Sequence, residues 1–236
     1  LGLRRQTYTW CSTVFAVSKG VKSDLMKLNP SLSSTDVQVV YNPAYTPELK
    51  ELSKKPLGHP WFKPDAPPVV IGAGRLTRQK DFSTLIRAFA LLRQKREAKL
   101  VILGEGKERA KLERLTRFLG LDKDVSLPGF VTNPYKYMSR SDVFVLSSQF
   151  EGFGNVLVEA LACGCTVVST DCKSGPAEIL QDGKWGRLVP VGESAPMSES
   201  ILKALNSEKM NGEERARDFT VNKVVNQYIK KLANTL

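Results

Sequence analysis

From Val69 onward, short apolar β-branched runs alternate with stretches of helical period, and this rhythm constrains the fold more than any other feature of the chain. It reads as strand 69–72, helix 82–94, strand 99–103, helix 107–119 and strand 125–127, then a short helix 135–138, strand 142–146, helix 155–162 and strand 166–170. Phe82, Leu85, Ile86, Phe89 and Leu92 form the buried stripe of the first helix, at the spacing of one helical face. Strands that are apolar throughout are covered on both faces, and strands that alternate with helices wind right-handedly. The fold class is therefore α/β, a doubly wound parallel sheet.

The chain before Pro68 reads differently. A strand at 13–17, a helix at 19–28 and a strand at 37–41 make one unit that cannot cover its own faces. Residues 42–68 hold seven prolines and little apolar periodicity, which marks a linker. The organisation expected is thus 1–41 as the remnant of a preceding domain, 42–68 as an interdomain linker, 69–210 as a ligand-binding domain, and 211–236 as a tail. That tail carries an amphipathic helix, 221–232, crossing back toward the preceding domain. The chain starts at Leu1 without a signal-peptide pattern, so it is read as a fragment or trimmed product.

Composition excludes several classes. Hydrophobic residues make up 42% and charged residues 25%, as in ordinary globular proteins. No apolar run reaches the roughly 18 residues of a membrane-spanning helix, and the longest, 156–168, is interrupted by Glu159. Cys11, Cys163, Cys165 and Cys172 are too few for a disulfide framework and read as small core residues of a reducing compartment. Cys163 and Cys165 flank Gly164 without further ligands, and the single histidine, His59, is far away, so no metal site is expected. Of the net charge of +11, much comes from residues 75–117, with 13 Lys or Arg against 5 Asp or Glu. The ordinary reading is that these solvate two helices; no nucleic-acid motif accompanies them, and an anionic membrane surface stays open as a partner.

The chemistry concentrates in residues 147–165. Glu151 falls in a glycine-broken turn after a strand, and Glu159 lies just past the first turn of the next helix, for which Asn155 is the N-cap by residue type. In an open parallel sheet the strand ends and helix starts gather free amides, so two carboxylates there fit a ligand with both phosphate and hydroxyls. In the loop 71–81, Arg75 and Lys80 follow two glycines and could neutralise a diphosphate, although an ordinary turn with surface cations has the same residues. A dinucleotide fingerprint would need glycine at Thr77. Gly104-Glu105-Gly106 and Gly129-Phe130-Val131 end the next two strands and would leave room for a flat ring, or are simply turn residues. Asp122-Lys123-Asp124 lies on the opposite edge and reads as a solvated turn.

In order and spacing, Arg75 with Lys80, the two glycine turns, Glu151-Gly-Phe-Gly through Glu159-Ala-Leu-Ala, and Ser174-Gly-Pro-Ala-Glu178 resemble the C-terminal half of retaining glycosyltransferases of family 4, which have the GT-B fold. The resemblance covers the chain from Ala16 to its end and matches 16–20 to the last strand and helix of the family's N-terminal domain. It implies a Rossmann-like domain binding a nucleotide-sugar donor, UDP-sugar favoured over GDP-sugar, with no metal or other cofactor. By the resemblance Arg75 and Lys80 hold the diphosphate, Glu151 engages the donor sugar and Glu159 both ribose hydroxyls. The backbone of Gly152, Phe153, Gly154, Asn155, Val156 and Leu157 serves sugar and phosphate, and Phe130 and Val131 contact the base. The catalytic set is Arg75, Lys80 and Glu151. Lys173 and Ala177 depart from the family pattern, and neither is expected to touch these residues.

The function expected is transfer of a sugar to an acceptor hydroxyl with retention of anomeric configuration, this chain being the donor-binding part and inactive alone. Expected partners are a glycan or lipid-linked acceptor and no nucleic acid. The location expected is cytoplasmic, with the inner membrane face as a docking surface. A non-catalytic nucleotide-sugar module and a dinucleotide-dependent oxidoreductase are the alternatives; binding without transfer or hydrolysis would indicate the first, and dinucleotide binding the second.

Overall fold

The structure, a computed structural model, describes residues 8–233, so the outermost residues of both terminal segments, 1–7 and 234–236, lie outside it. The N-terminal part holds β1 (Val14–Ala16), α1 (Lys19–Leu28), β2 (Val37–Val39) and α2 (Pro47–Ser53). There follow β3 (Val69–Ala73), α3 (Phe82–Arg93), β4 (Lys99–Leu103), α4 (Arg109–Phe118), β5 (Val125–Gly129), α5 (Tyr135–Met138) and β6 (Val143–Leu146). The chain continues through α6 (Asn155–Ala162), β7 (Thr166–Thr170), α7 (Pro176–Leu180), β8 (Arg187–Val189), α8 (Ser194–Asn206), α9 (Gly212–Ala216) and α10 (Val221–Ala233).

Six parallel strands form one sheet in the order β5-β4-β3-β6-β7-β8, and β1 pairs with β2 in a separate parallel ribbon. The period of two along each strand divides the core. Val69, Ile71, Phe144 and Leu146 pack on one face with Phe153, Leu157 and Leu161, whereas Val70, Val143 and Val145 pack on the other with Leu85, Phe89 and Ile201. Both faces are covered, which is why these strands carry no polar alternation. The predicted stripe of α3 is buried throughout, and Asp81 caps the helix by accepting from the Thr84 amide.

Three expectations need correction. The proline-rich segment 42–68 is a packed strap: Pro47 starts α2, where a missing amide hydrogen costs nothing, and Ala44, Tyr45 and Leu49 are buried in the core. Asn155 is the first residue of α6; the cap is Gly154, in a left-handed conformation with φ 96°. The sheet also has a sixth strand, β8, which with α7 and α8 was not foreseen: β8 is three residues long and starts on an exposed arginine, and α8 opens Ser-Ala-Pro. At the other end, α10 lies along the β1–β2 ribbon, the Phe15 and Tyr228 rings meeting edge to face at 4.8 Å and Lys231 Nζ donating to Gln38 Oε1.

Candidate functional site

The strand order reverses between β3 and β6, the two central strands. After β3 the chain turns to one face of the sheet to form α3, and after β6 to the other to form α6. Loops that diverge in this way leave a crevice at the carboxyl ends of the strands. Here that crevice is a cleft of about 750 Å³.

The walls are zipped together by the two loops. Gln149 N donates to Gln79 O at 2.8 Å, Gln79 Nε2 to Phe150 O at 2.9 Å, and Ser147 Oγ to Lys80 O at 2.7 Å. Across this seam Lys80 Nζ meets Glu151 Oε1 at 2.6 Å, and the same oxygen accepts from Ser148 Oγ at 2.6 Å. The paired side chains are only 17% and 9% exposed, so little water screens them. Glu151 Oε2 has no hydrogen-bond partner among the described residues. Ser148, fully buried, was missed by sequence reasoning; a hydroxyl at the end of an apolar strand is its only signal there.

Glu159 is the opposite case. It lines the cleft from α6, and its carboxylate has neither ion pair nor hydrogen bond among the described residues. Burial pushes its pKa up to about 7. Burial, and then this neighbouring carboxylate, push the half-buried Cys163 thiol up to about 12. Arg75 is exposed at the mouth, and its guanidinium meets no acceptor among the described residues.

Of the other predicted residues, Phe130, 74% exposed, and half-buried Val131 line the wall next to β5, while Gly152, Phe153, Gly154, Asn155 and Val156 line the wall at α6. Leu157 does not: its side chain is in the core and its amide donates to Gly154 O at 2.9 Å. Asn155 Oδ1 accepts from Asn42 Nδ2 at 2.9 Å, so the strap contributes to the cleft, as does Val17 from the N-terminal segment. Neither was legible from local pattern.

The glycine turn after β4 serves backbone packing. A Cβ on Gly104, φ 136°, would lie 2.0 Å from Gly74 O, and one on Gly106, φ 158°, 2.4 Å from Leu76 O. The facing loop fills the side on which a Cβ would stand, while Gly104 and Glu105 still line the cleft. Asp124 is likewise no solvated turn residue: it pairs with Arg93 at 3.0 Å and Lys99 at 2.7 Å, fastening α3 to the start of β4. Cys165 and Cys172 are core residues, but Cys163 is half-buried and Cys11 exposed. No group of three or more His, Cys, Asp or Glu among the described residues could hold a metal ion, and no described helix is long and apolar enough to cross a membrane.

Comparison with known proteins fits this geometry. The profile of the family described as "Glycosyl transferases group 1" matches residues 57–222. The chain is 36% identical over 231 residues to the N-acetylgalactosamine-N,N'-diacetylbacillosaminyl-diphospho-undecaprenol 4-alpha-N-acetylgalactosaminyltransferase of Campylobacter jejuni, across 95% of this chain and 61% of that protein. The apo form of the lipopolysaccharide outer core galactosyltransferase WaaB superposes with a TM-score of 0.77 at 26% identity, covering 97% of this chain and 63% of that one. Anabaena HepE in complex with UDP gives 0.78 at 23% identity, covering 95% and 64%. The chain spans about three fifths of the length of the Campylobacter relative. With the family profile running from the strap to the start of α10 and the sheet matching GT-B structures, the chain belongs to the group 1 glycosyl transferases.

Proposed function

We propose that this chain is the donor-binding half of a glycosyltransferase that moves a sugar from UDP onto an acceptor hydroxyl, with retention of anomeric configuration and without a metal ion. The observation that carries the reading is Glu159, a half-buried carboxylate with no internal partner among the described residues, at one side of a cleft that also holds Glu151 and Arg75. A ribose offers two hydroxyls to such a carboxylate, and the hydrogen bonds they donate favour its charged form. The diphosphate then lies against Arg75 and the Asn155 and Val156 amides, the first two of α6, which have no intrahelical acceptor. The donor sugar reaches Glu151 Oε2, and the base rests on Phe130 and Val131. UDP is favoured over GDP by the UDP complex of the structurally similar HepE.

In the reaction the bond from the anomeric carbon to the β-phosphate oxygen breaks, and the acceptor oxygen bonds on the face the diphosphate leaves. The acceptor proton passes to the departing phosphate oxygen. Arg75 stabilises the charge that grows on that phosphate, and Lys80 adds to it when the ligand competes with Glu151. The acceptor is a lipid-linked or other glycan, supported by the Campylobacter relative, whose name specifies a diphospho-undecaprenol glycan. The outer face of α4 and its approach carry Lys107, Arg114, Arg117 and the 84% exposed Phe118, which fits peripheral contact with an anionic membrane surface on the cytoplasmic side. Salt-sensitive binding to anionic liposomes, lost on charge reversal at Arg114 and Arg117, is expected; binding indifferent to salt contradicts it.

Thermal stabilisation of the full-length protein by a panel of nucleotide sugars tests the donor. Selective stabilisation by UDP-sugars followed by transfer supports the proposal. Binding with neither transfer nor hydrolysis makes the chain a binding module instead.

A further inference from the structure

Behind the sugar side of the cleft, Glu178 of α7 reaches across to the N-terminal segment. Its Oε2 accepts from the Lys19 amide at 2.8 Å and from Tyr41 Oη at 3.1 Å, and its Oε1 from the Gly20 amide at 3.3 Å. These amides belong to the first turn of α1, where a helix has donors without intrahelical acceptors and the positive end of its dipole. The cap residue of that helix, Ser18, fully buried, accepts from the Val21 amide and donates through Oγ to Gly152 O at 2.7 Å. Gly152 directly follows Glu151.

The contact is supported from both sides. Tyr41 stacks on Phe153 at 5.3 Å, and Phe219 closes against both rings. Buried Arg215 holds the α7 backbone, donating to Glu178 O at 2.8 Å and Ile179 O at 2.7 Å. Gly20 fits only because it lacks a side chain: a Cβ there would lie 2.2 Å from Ser174 Oγ. Four stretches of chain therefore converge behind the turn that carries Glu151. Two charged contacts tie α1 to them, Glu178 at its first turn and Lys173 at Asp24 further along; Lys173 O also accepts from the Glu151 amide at 3.4 Å, so Lys173, contrary to expectation, does not stand clear of Glu151.

We propose that Glu178 is a positioning residue: by anchoring the first turn of α1 it keeps Ser18 on Gly152, and so fixes Glu151 for the sugar end of the donor while leaving the nucleotide end untouched. The inference rests on the proposed donor site. Loss of the anchor frees the first turn of α1, since the Lys173–Asp24 ion pair holds the helix only further along, so Gly152 O loses its donor and the turn relaxes. Displacements of about 1 Å at reacting groups cost up to about 100-fold in rate.

The test uses the full-length protein with Glu178→Ala, Glu178→Gln and Tyr41→Phe. Expected for Glu178→Ala is a fall in kcat of at least about tenfold with UDP affinity unchanged, and faster hydrogen exchange at Lys19, Gly20 and the 152–154 turn together. Glu178→Gln, which still accepts from Lys19, restores most of the rate, and Tyr41→Phe, which removes one arm and keeps the charge, lies between. Wild-type kcat in a folded Glu178→Ala overturns the inference, as does equal loss of kcat and UDP affinity. Should Glu178→Ala fail to fold, Tyr41→Phe decides, by a lowered kcat or a wild-type one. Absence of both UDP binding and transfer in the wild-type protein would instead refute the donor site itself.

Discussion

Glu151 and Glu159 line the same cleft and have opposite surroundings. Glu151 is held by Lys80 and Ser148 through one oxygen, on a turn braced from behind by Ser18. Glu159 is held by nothing among the described residues, and partial burial raises its pKa to about 7. A carboxylate fixed by an internal partner is preorganised, which suits a reacting centre; one without a partner is completed by a ligand. Under the proposed function the two acids serve separate ends of one donor, and mutation can test each end.

The largest effects are expected at Glu151 and Arg75. Either alanine variant lowers transfer by about 100-fold or more, by loss of preorganised contacts in the transition state. They differ in stability. Arg75→Ala leaves the melting temperature unchanged, because Arg75 is exposed, whereas Glu151→Ala strands the mostly buried Lys80 and costs up to about 3 kcal/mol. Denaturant unfolding of both variants separates the two roles. Gly104→Ala comes next, destabilising by about 1–3 kcal/mol as its methyl group is forced against Gly74 O.

Glu159 predicts a smaller effect of distinctive shape. Its folded-state pKa, about 7, lies above the ordinary 4.5, so the folded chain holds a proton that the unfolded chain releases between those values. Its contribution to stability is complete below pH about 4.5 and is lost as pH rises through about 7. Relative to wild type, Glu159→Gln therefore gains stability on going from pH 6 to pH 8, by on the order of 1 kcal/mol, measurable by denaturation at both values. UDP, which favours the charged form, binds the wild type more tightly at pH 8 than at pH 6. Phe130→Ala is the mildest change, weakening UDP by about threefold at an unchanged melting temperature, since the exposed ring supports only a stacking contact.

The sheet was legible because each central strand is apolar on both sides and α3 presents an unbroken stripe. Glu151 and Glu159 were legible because acids interrupt an apolar segment at a strand-to-helix turn. The strap was not: Pro47 and Pro60 start helical turns, and from sequence a proline that starts a helix looks like one that breaks a linker. Nor were the Lys80–Glu151 pair and the glycine contacts, since their partners are brought together by the reversal of strand order. Gly104 carries no sign in its own segment that Gly74 O will face it. Glu178 matched a motif by resemblance, but its partners, Lys19, Gly20 and Tyr41, lie more than a hundred positions away.

The division of labour between the two acids is tested most directly by calorimetric titration of UDP, which lacks the sugar, into the wild type, Glu159→Gln and Glu151→Gln at pH 8. Glu159→Gln should lose at least about tenfold in affinity, for hydrogen bonds to a charged group, and Glu151→Gln should bind as tightly as wild type or more tightly, with Lys80 released to the diphosphate. Undiminished binding by Glu159→Gln, or an equal loss in both variants, would contradict the account.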